Sequence, residues 1–163
     1  NLKMAIELIE KINERHDIVY HIYGEGPQKA DLVELVNIKE LNGVIVFKGF
    51  VDEPQELAEN YDFYLSCSKF EGFGLSIADG LRGGNIVIIT PVGELRNYIT
   101  DGVNGVLIDF DLNASANKIE SIFAMNKDSL NIIQKNGRSI YESNFTETIF
   151  LNGVERVYRN ILN

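Results

Sequence analysis

The segment Phe70–Ser76 has the residue types of a loop that binds an anionic or hydroxyl-rich ligand. Gly72 and Gly74 let the backbone approach a ligand closely, and the loop runs directly into a segment with helical spacing. The free N–H groups and the positive dipole end of a helix N-terminus favour phosphate. Glu71 would repel a bare phosphate, so its carboxylate is better suited to accept hydrogen bonds from sugar hydroxyls.

A second carboxylate, Asp79, follows eight residues after Glu71. Its i, i+4 spacing from Leu75 places it on the helix face that bears the loop. Two carboxylates beside a helix N-terminus are suited to hold the hydroxyl groups at both ends of a nucleotide sugar. The residues alone leave a plainer interpretation open, in which the loop is a tight turn with a solvated Glu71 and a surface Asp79.

Two other loops are candidates for ligand contact. Gly24 and Gly26 allow close approach of a ligand, although an ordinary strand-to-helix turn has the same composition. Phe50 and Val51 follow a predicted strand end, where an apolar pair can stack on a base or pack in the core.

Several kinds of chemistry are disfavoured. His16 falls in a loop and His21 in a strand, which predicts no metal site. Cys67 has no visible base beside it and is interpreted as a small buried hydrophobe. Since it is the only cysteine, no internal disulfide can form, which indicates a reducing compartment such as the cytoplasm. The phosphate loop of nucleotide triphosphatases and the dinucleotide fingerprint are both absent.

Composition limits the class of protein. The chain has 163 residues, the usual size of one domain. Its 15 basic and 24 acidic residues give a net charge of −9, which argues against nucleic acid or anionic lipid as a partner. The longest apolar run, Ile86–Ile89, is far shorter than the ~20 residues of a membrane span.

The candidate loops follow short apolar strands that alternate with helices, which predicts an α/β fold: a Rossmann-like parallel sheet wrapped by helices, with a helical C-terminal segment. The whole chain, 1–163, is predicted to be one domain. Because its opening helix lacks a preceding strand, a first strand is expected upstream. The predicted strands are 18–23, 44–47, 61–66, 86–90 and 106–108; the predicted helices are 2–14, 28–40, 54–60, 75–81, 94–99, 112–126, 128–142 and 146–161.

These motifs together resemble the C-terminal, donor-binding domain of retaining GT-B glycosyltransferases of the group 1 (family 4) class. Glu71–Leu75 with Asp79 is similar to the E-x7-E region of that family. Tyr23–Pro27 and Val46–Val51 resemble its loops after earlier strands, and Asp101–Gly105 resembles its DGxNG turn. The resemblance covers about residues 1–145.

The resemblance implies residue roles. Glu71, assigned as the catalytic residue, would contact the sugar hydroxyls, and Asp79 would contact the ribose. Backbone amides of Phe73, Gly74 and Leu75 would approach the sugar and diphosphate. Donor contacts are also expected from the glycine loop and from the residues bordering the base, namely Gly24, Gly26, Phe50 and Val51.

The chain departs from the family pattern at four positions. Asp79 stands in place of Glu and is one methylene shorter, Ile86 replaces a usual Pro, Glu94 replaces a Gly, and Asn97 replaces a frequent Glu. The phosphate-binding Arg and Lys of the family would fall just before Asn1.

The resemblance therefore implies transfer of a hexosyl group from a UDP- or GDP-linked donor, without a cofactor or a metal. The acceptor, a glycan, a lipid or another molecule, would bind an N-terminal domain, so this chain alone is expected to be inactive. A cytoplasmic location is expected, and peripheral attachment of a longer protein to the inner face of the membrane stays open.

The alternatives are a non-catalytic sugar-nucleotide or protein-binding module, and another GT-B-like enzyme such as an epimerase or a phosphorylase.

Overall fold

Residues 1–162, which the computed structural model describes, form five short strands and seven α-helices that alternate along most of the chain. The strands are β1 (Tyr20–Tyr23), β2 (Ile45–Gly49), β3 (Phe63–Ser66), β4 (Ile86–Ile89) and β5 (Val106–Leu107). The α-helices are α1 (Leu2–Asn13), α2 (Lys29–Ile38), α3 (Pro54–Leu57), α4 (Leu75–Gly83), α5 (Leu112–Phe123), α6 (Lys127–Asn144) and α7 (Glu147–Leu162).

All strand pairs are parallel, as predicted, but the strands are divided between two sheets. One sheet contains β1 and β2, and the other has the order β3-β4-β5. Helices flank both sheets, so the predicted α/β class is confirmed. β1 and β3 do not pair with each other, and each keeps one open edge.

The central strand β4 is buried on both faces, which explains its uninterrupted apolar sequence. Ile86 and Ile88 pack in a core with α1, α5 and α6. Val87 and Ile89 point to the opposite face, where they meet α4 and the turn after β4.

Helix α1 belongs to two hydrophobic cores at once. Met4 and Leu8 pack in the core of the three-stranded sheet. Ile6 and Ile9 pack in a second core formed by β1, β2 and α2. Leu8 and Ile6 are completely buried, so α1 is the element that holds the two sheets together.

Most differences from the predicted bounds occur at element ends. Asp111 caps α5 by accepting a hydrogen bond from the Ala114 N–H at 2.7 Å. Gly84 follows α4 in a left-handed conformation (φ 80°), which is common directly after a helix. Two predicted helices are wholly or partly 3₁₀: residues 54–60 are a turn of α-helix followed by Ala58–Asn60, and residues 94–99 contain only Leu95–Tyr98. 3₁₀ turns are frequent in connecting segments as short as these.

The last helix, α7, is amphipathic and has no buried residue. Its large apolar side chains, including Phe150, Tyr158 and Ile161, are exposed. Within the described residues, no helix is both long enough and apolar enough to cross a bilayer.

Leu8→Ala should destabilise the protein by about 2–5 kcal/mol, because it opens a cavity in the core that joins α1 to the three-stranded sheet. The exposed neighbour Lys3→Ala should change the free energy of unfolding by no more than about 0.5 kcal/mol. Urea denaturation of both variants measures the difference. Equal stabilities for the two variants would contradict the role given to α1.

Candidate ligand-binding site at the carboxyl edge of the sheets

Glu71 is held by a chain of hydroxyl groups that starts at the end of β3. The Ser68 hydroxyl donates a hydrogen bond to Glu71 Oε1 at 2.8 Å. The Ser66 hydroxyl donates in turn to the Ser68 oxygen at 3.2 Å. Within residues 1–162, the hydrogen bond from Ser68 engages only Oε1 of Glu71. The other oxygen of this half-exposed carboxylate, Oε2, can therefore accept a hydrogen bond from a ligand.

The loop that carries Glu71 is fastened to the turn after β4. The N–H of Glu94 donates to the Gly72 carbonyl at 3.0 Å, and the N–H of Leu95 donates to the Phe73 carbonyl at 3.2 Å. Gly93 has a φ of 77°, and a Cβ added there would lie 2.7 Å from the Glu71 Cβ. Close packing therefore requires glycine at position 93 and fixes the position of Glu71.

Gly74 begins α4 in a left-handed conformation (φ 97°). A side chain there would also meet Ile77 Cδ1 at 2.9 Å, so glycine is required for space as well as for conformation. Its carbonyl accepts hydrogen bonds from the N–H groups of Ile77 and Ala78. The preceding N–H groups of the helix have no intrahelical acceptor, and Leu75 beside them is exposed. Their position suits the binding of an anionic group.

Phe73 anchors this loop to the C-terminal helices. Its ring contacts Phe145, with ring centroids 5.4 Å apart in an edge-to-face arrangement. Phe145 directly follows α6 and also contacts Tyr98. The Phe73 side chain therefore makes a packing contact, although it stays partly exposed, and the sequence predicts ligand contact for its backbone.

Asp79 lies one turn into α4 and is partly buried. Burial raises the pKa of its carboxyl group above the ordinary value, and the charge of Arg82 on the same helix partly opposes this rise. Nearby, the Tyr64 hydroxyl donates to the Ser76 hydroxyl at 2.9 Å. Burial raises the pKa of the Tyr64 hydroxyl, the hydrogen bond to Ser76 partly opposes this rise, and the charges of Glu71 and Asp79 add to it.

A cavity of about 480 Å³ lies between β1 on one side and β3 with α4 on the other. Its lining includes four of the predicted contact residues, Gly24, Phe50, Val51 and Asp79. Phe50 is 72% exposed, so it is not committed to the core and can contact a ligand.

The remaining predicted residues lie outside the lining of this cavity. Gly26 lines a smaller neighbouring pocket of about 260 Å³, together with Glu25 and Lys29. The other four residues belong to the loop and the N-terminus of α4, namely Glu71, Phe73, Gly74 and Leu75. The predicted residues thus fall into two adjoining groups. One group lines the cavity and includes Asp79, and the other belongs to the fixed loop that carries Glu71.

Sequence reasoning missed a polar cluster at this edge. Tyr61 OH lies 2.6 Å from His21 Nδ1 and 2.6 Å from the Tyr23 hydroxyl. Burial, aided by the charge of Lys48, lowers the His21 pKa; burial and the Tyr23 hydrogen bond raise the Tyr61 pKa to about 12. The i, i+2 spacing of His21 and Tyr23 indicates that they share a strand face. Nothing local in the sequence indicates Tyr61 as their partner.

The remaining candidate groups have structural surroundings. Cys67 is buried, as predicted, and burial raises the pKa of its thiol to about 12. The His16 ring packs edge-on against Phe123 at a centroid distance of 5.1 Å. Within residues 1–162, no three carboxylate, imidazole or thiol groups are clustered so as to hold a metal ion.

Two known enzymes are similar to this chain in sequence. The O-antigen biosynthesis glycosyltransferase WclY of Escherichia coli is 27% identical over 154 residues, which cover 94% of this chain and 42% of the relative. The poly(ribitol-phosphate) alpha-N-acetylglucosaminyltransferase of Staphylococcus aureus is 28% identical over 151 residues, or 91% of this chain and 31% of the enzyme. The chain thus spans less than half the length of these relatives.

A solved structure shows the same fold. The pneumococcal O-GlcNAc transferase GtfA, crystallised in complex with UDP and GlcNAc, matches with a TM-score of 0.87 at 24% sequence identity. The match covers 100% of this chain and 33% of that one. This likeness agrees with the GT-B architecture that the motifs predict.

Gly93→Ala should displace the Glu71 loop and destabilise the protein, because the new methyl group overlaps the Glu71 side chain in addition to straining the backbone. Gly102→Ala is the matched control, since Gly102 has a similar φ of 71° but open space around its Cβ position. Left-handed strain costs roughly 1–2 kcal/mol in both variants. Denaturation and amide chemical shifts of residues 71–74 should show a larger loss and a local shift only for Gly93→Ala. Identical effects of the two variants would contradict the contact.

The family of the chain follows from a match over most of its length. The sequence model of the family described as "Glycosyl transferases group 1" matches residues 1–139, which include both glycine loops, Glu71 and Asp79. This chain belongs to the group 1 glycosyltransferases.

Proposed function

We propose that residues 1–163 bind the nucleotide-sugar donor of a retaining glycosyltransferase that transfers a hexosyl group to a glycan, a lipid or another acceptor. The observation that carries this proposal is the preorganised Glu71, whose Oε1 is held by Ser68 while Oε2 is available beside the N-terminus of α4. A carboxylate in this position suits sugar hydroxyls, and the helix N-terminus beside it suits a diphosphate.

The donor would span the two adjoining groups of the site. In this arrangement Glu71 orients the sugar, and the N–H groups at the start of α4 bind the diphosphate. Asp79 accepts a hydrogen bond from the ribose on the cavity wall, and the base lies near Phe50 and Val51. UDP is the first nucleotide to test, because the GtfA structure contains UDP and GlcNAc.

The chemistry expected of these residues is electrostatic. As the bond between the anomeric carbon and the diphosphate breaks, negative charge grows on the leaving group. The fixed N–H groups of α4 stabilise this charge without reorganising. The acceptor hydroxyl attacks the anomeric carbon from the face that the diphosphate leaves, which retains the anomeric configuration, and its proton passes to the departing diphosphate oxygen. No residue is assigned to a metal or a cofactor in this scheme.

Transfer also requires an acceptor site. We assign that site to a part of the protein outside residues 1–163, so these residues alone bind the donor without transferring the sugar. The length of the relatives supports this division, since the chain spans 42% of WclY. We also place the reaction in the cytoplasm. The single cysteine, Cys67, is buried and free, and proteins without disulfides are typical of this reducing compartment.

A non-catalytic binding module is the second candidate. Asp79 is one methylene shorter than the Glu of the family pattern, and the exposed carboxylate of Glu94 adds negative charge next to the loop that should receive a diphosphate. Donor binding without transfer by the intact protein would favour this alternative.

Glu71→Gln in the intact enzyme should lower kcat/KM for transfer by about 100-fold or more, because the carboxylate that orients the sugar loses its charge. Glu142→Gln on α6 is the control, since this exposed residue makes only a surface ion pair with Arg138 and should leave transfer unchanged. A labelled-donor assay gives the rates, and thermal melting checks that both variants fold. Full activity of Glu71→Gln would rule out the assigned role.

Asp79→Asn should weaken nucleotide binding by roughly tenfold, the value of one hydrogen bond to a charged group. The same change should maintain or raise the free energy of unfolding at pH 7, because burial disfavours the Asp79 carboxylate in the folded state. A raised pKa means that this penalty is absent at low pH and develops as pH rises through the folded pKa. The stability advantage of the variant should therefore disappear in acid.

Amide NMR titrations with UDP, GDP and ADP measure the affinity, and urea denaturation across pH measures the stability. Asp17→Asn, at an exposed position before β1, serves as the control for affinity. Shifts in the wild type should concentrate at Gly24, Phe50–Val51 and Glu71–Asp79. Unchanged affinity of Asp79→Asn would show that this carboxylate does not contact the nucleotide.

A further inference from the structure

A buried hydroxyl group, that of Thr90, lies at the exit of β4. Thr90 directly follows Ile89, the last residue of the strand, and is 1% exposed. A polar group with so little access to water is usually hydrogen-bonded within the protein. The bond that Thr90 makes leads to the loop that carries Glu71.

The backbone ladder between β3 and β4 ends at Thr90. Its N–H donates to the Ser66 carbonyl at 3.0 Å. After this bond the two chains separate, since the exit of β3 continues into the Glu71 loop and the exit of β4 turns at Gly93. The Thr90 hydroxyl, however, donates to the Ser68 carbonyl at 2.5 Å. The Thr90 side chain thus fastens the exit of β3 beyond the end of the ladder.

Ser68 transmits this constraint to the carboxylate. Its carbonyl accepts the hydrogen bond from Thr90, and its hydroxyl donates to Glu71 Oε1 at 2.8 Å. Because both groups belong to one residue, a rotation of the Ser68 backbone would carry the hydroxyl away from Glu71. The Ser66 hydroxyl, which donates to the Ser68 hydroxyl oxygen at 3.2 Å, supports the same orientation. Thr90 and Glu71 are therefore joined through a single intervening residue.

We propose that Thr90 is a positioning residue for sugar transfer, whose hydroxyl holds the Ser68 backbone so that Ser68 holds Glu71 towards the donor sugar. Because this role concerns the orientation of the sugar, it rests on the proposed function. It requires the hydroxyl group at position 90 and not only the volume of the side chain. A Thr90 with a merely structural role would contribute to stability alone.

The effect of Thr90 should be confined to the sugar. Glu71 is the residue proposed to orient the sugar, and it belongs to this series of hydrogen bonds. Asp79, which is proposed to contact the ribose, lies on α4, outside the series. Loss of the Thr90 hydroxyl should therefore slow transfer and leave the affinity for UDP, which carries no sugar donor group, unchanged.

Thr90→Val in the intact enzyme removes the hydroxyl and keeps the branched side chain. It should lower kcat/KM for transfer by about tenfold, the value of one hydrogen bond. Thr90→Ser keeps the hydroxyl and loses a methyl group, so it should retain transfer near the wild-type level. A labelled-donor assay measures transfer, and calorimetry measures the affinity for UDP. Equal losses of transfer in the two variants would overturn the role of the hydroxyl, and so would a matching loss of UDP affinity in Thr90→Val.

Ser115→Ala is the matched control, because it removes a hydrogen bond of the same kind elsewhere in the fold. Ser115 is also 1% exposed, and its hydroxyl donates to the Asp109 carbonyl at 2.9 Å. Both Ser115→Ala and Thr90→Val should lower the melting temperature, but only Thr90→Val should slow transfer. An equal loss of transfer in Ser115→Ala would assign the effect to stability and overturn the proposal.

A double variant tests whether Thr90 acts through Ser68. Ser68→Ala alone should lower kcat/KM for transfer by about tenfold. Ser68→Ala combined with Thr90→Val should lose no more than Ser68→Ala alone, because the two residues act in series. Losses that multiply to about 100-fold would overturn the proposal, since Thr90 would then act by a separate route.

Hydrogen exchange separates the failure of this role from the failure of the proposed function. In the intact enzyme, the backbone amides of residues 68–74 should exchange faster in Thr90→Val than in Thr90→Ser, whatever the loop binds. Unchanged exchange and wild-type transfer in Thr90→Val, with transfer lowered in Glu71→Gln, would overturn the role of Thr90 alone. Full transfer by Glu71→Gln would instead overturn the proposed function, and the sugar-orienting role of Thr90 with it.

Discussion

The packing of α1 against both sheets is the contact on which the rest of the structure depends. Met4 and Leu8 enter one core, while Ile6 and Ile9 enter the other. No strand pair among the described residues joins the sheets, so this helix, together with Tyr20 and Leu65, which pack against both cores, sets the position of β1 relative to β3. The cavity between them, with Asp79 on its wall, therefore owes its width to hydrophobic contacts and not to backbone hydrogen bonds.

On the other side of the site, backbone geometry sets the position of the carboxylate. Gly93 lies directly against Glu71, and hydrogen bonds from residues 94 and 95 hold the carbonyls of residues 72 and 73. The Ser68 hydroxyl then selects one orientation of the Glu71 side chain. An acidic protein with a net charge of −9 thus has fixed N–H dipoles at the start of α4, where we propose that the diphosphate binds.

The sequence predicts what depends on local pattern, and it fails where the partner is distant along the chain. The apolar run of β4 is a local signal, and the strand predicted there is confirmed. The contact between His21 and Tyr61 spans 40 residues and has no such signal. The gap between the sheets is also a long-range feature, because strand periodicity states that a strand exists but not which strand lies beside it. Likewise, Gly24 and Gly26 resemble each other in sequence and both line the pocket of about 260 Å³, but of the two only Gly24 also lines the larger cavity.

The burial of Cys67 has a practical consequence for spectroscopy. This residue is the only cysteine in the sequence, and its thiol is both inaccessible and hard to ionise. Maleimide reagents attack the thiolate of exposed cysteines, so the native chain has no competing labelling position on its surface. A single cysteine introduced on α7 would accept a fluorophore or a spin label selectively. The motion of that helix can then be followed without first removing the native thiol.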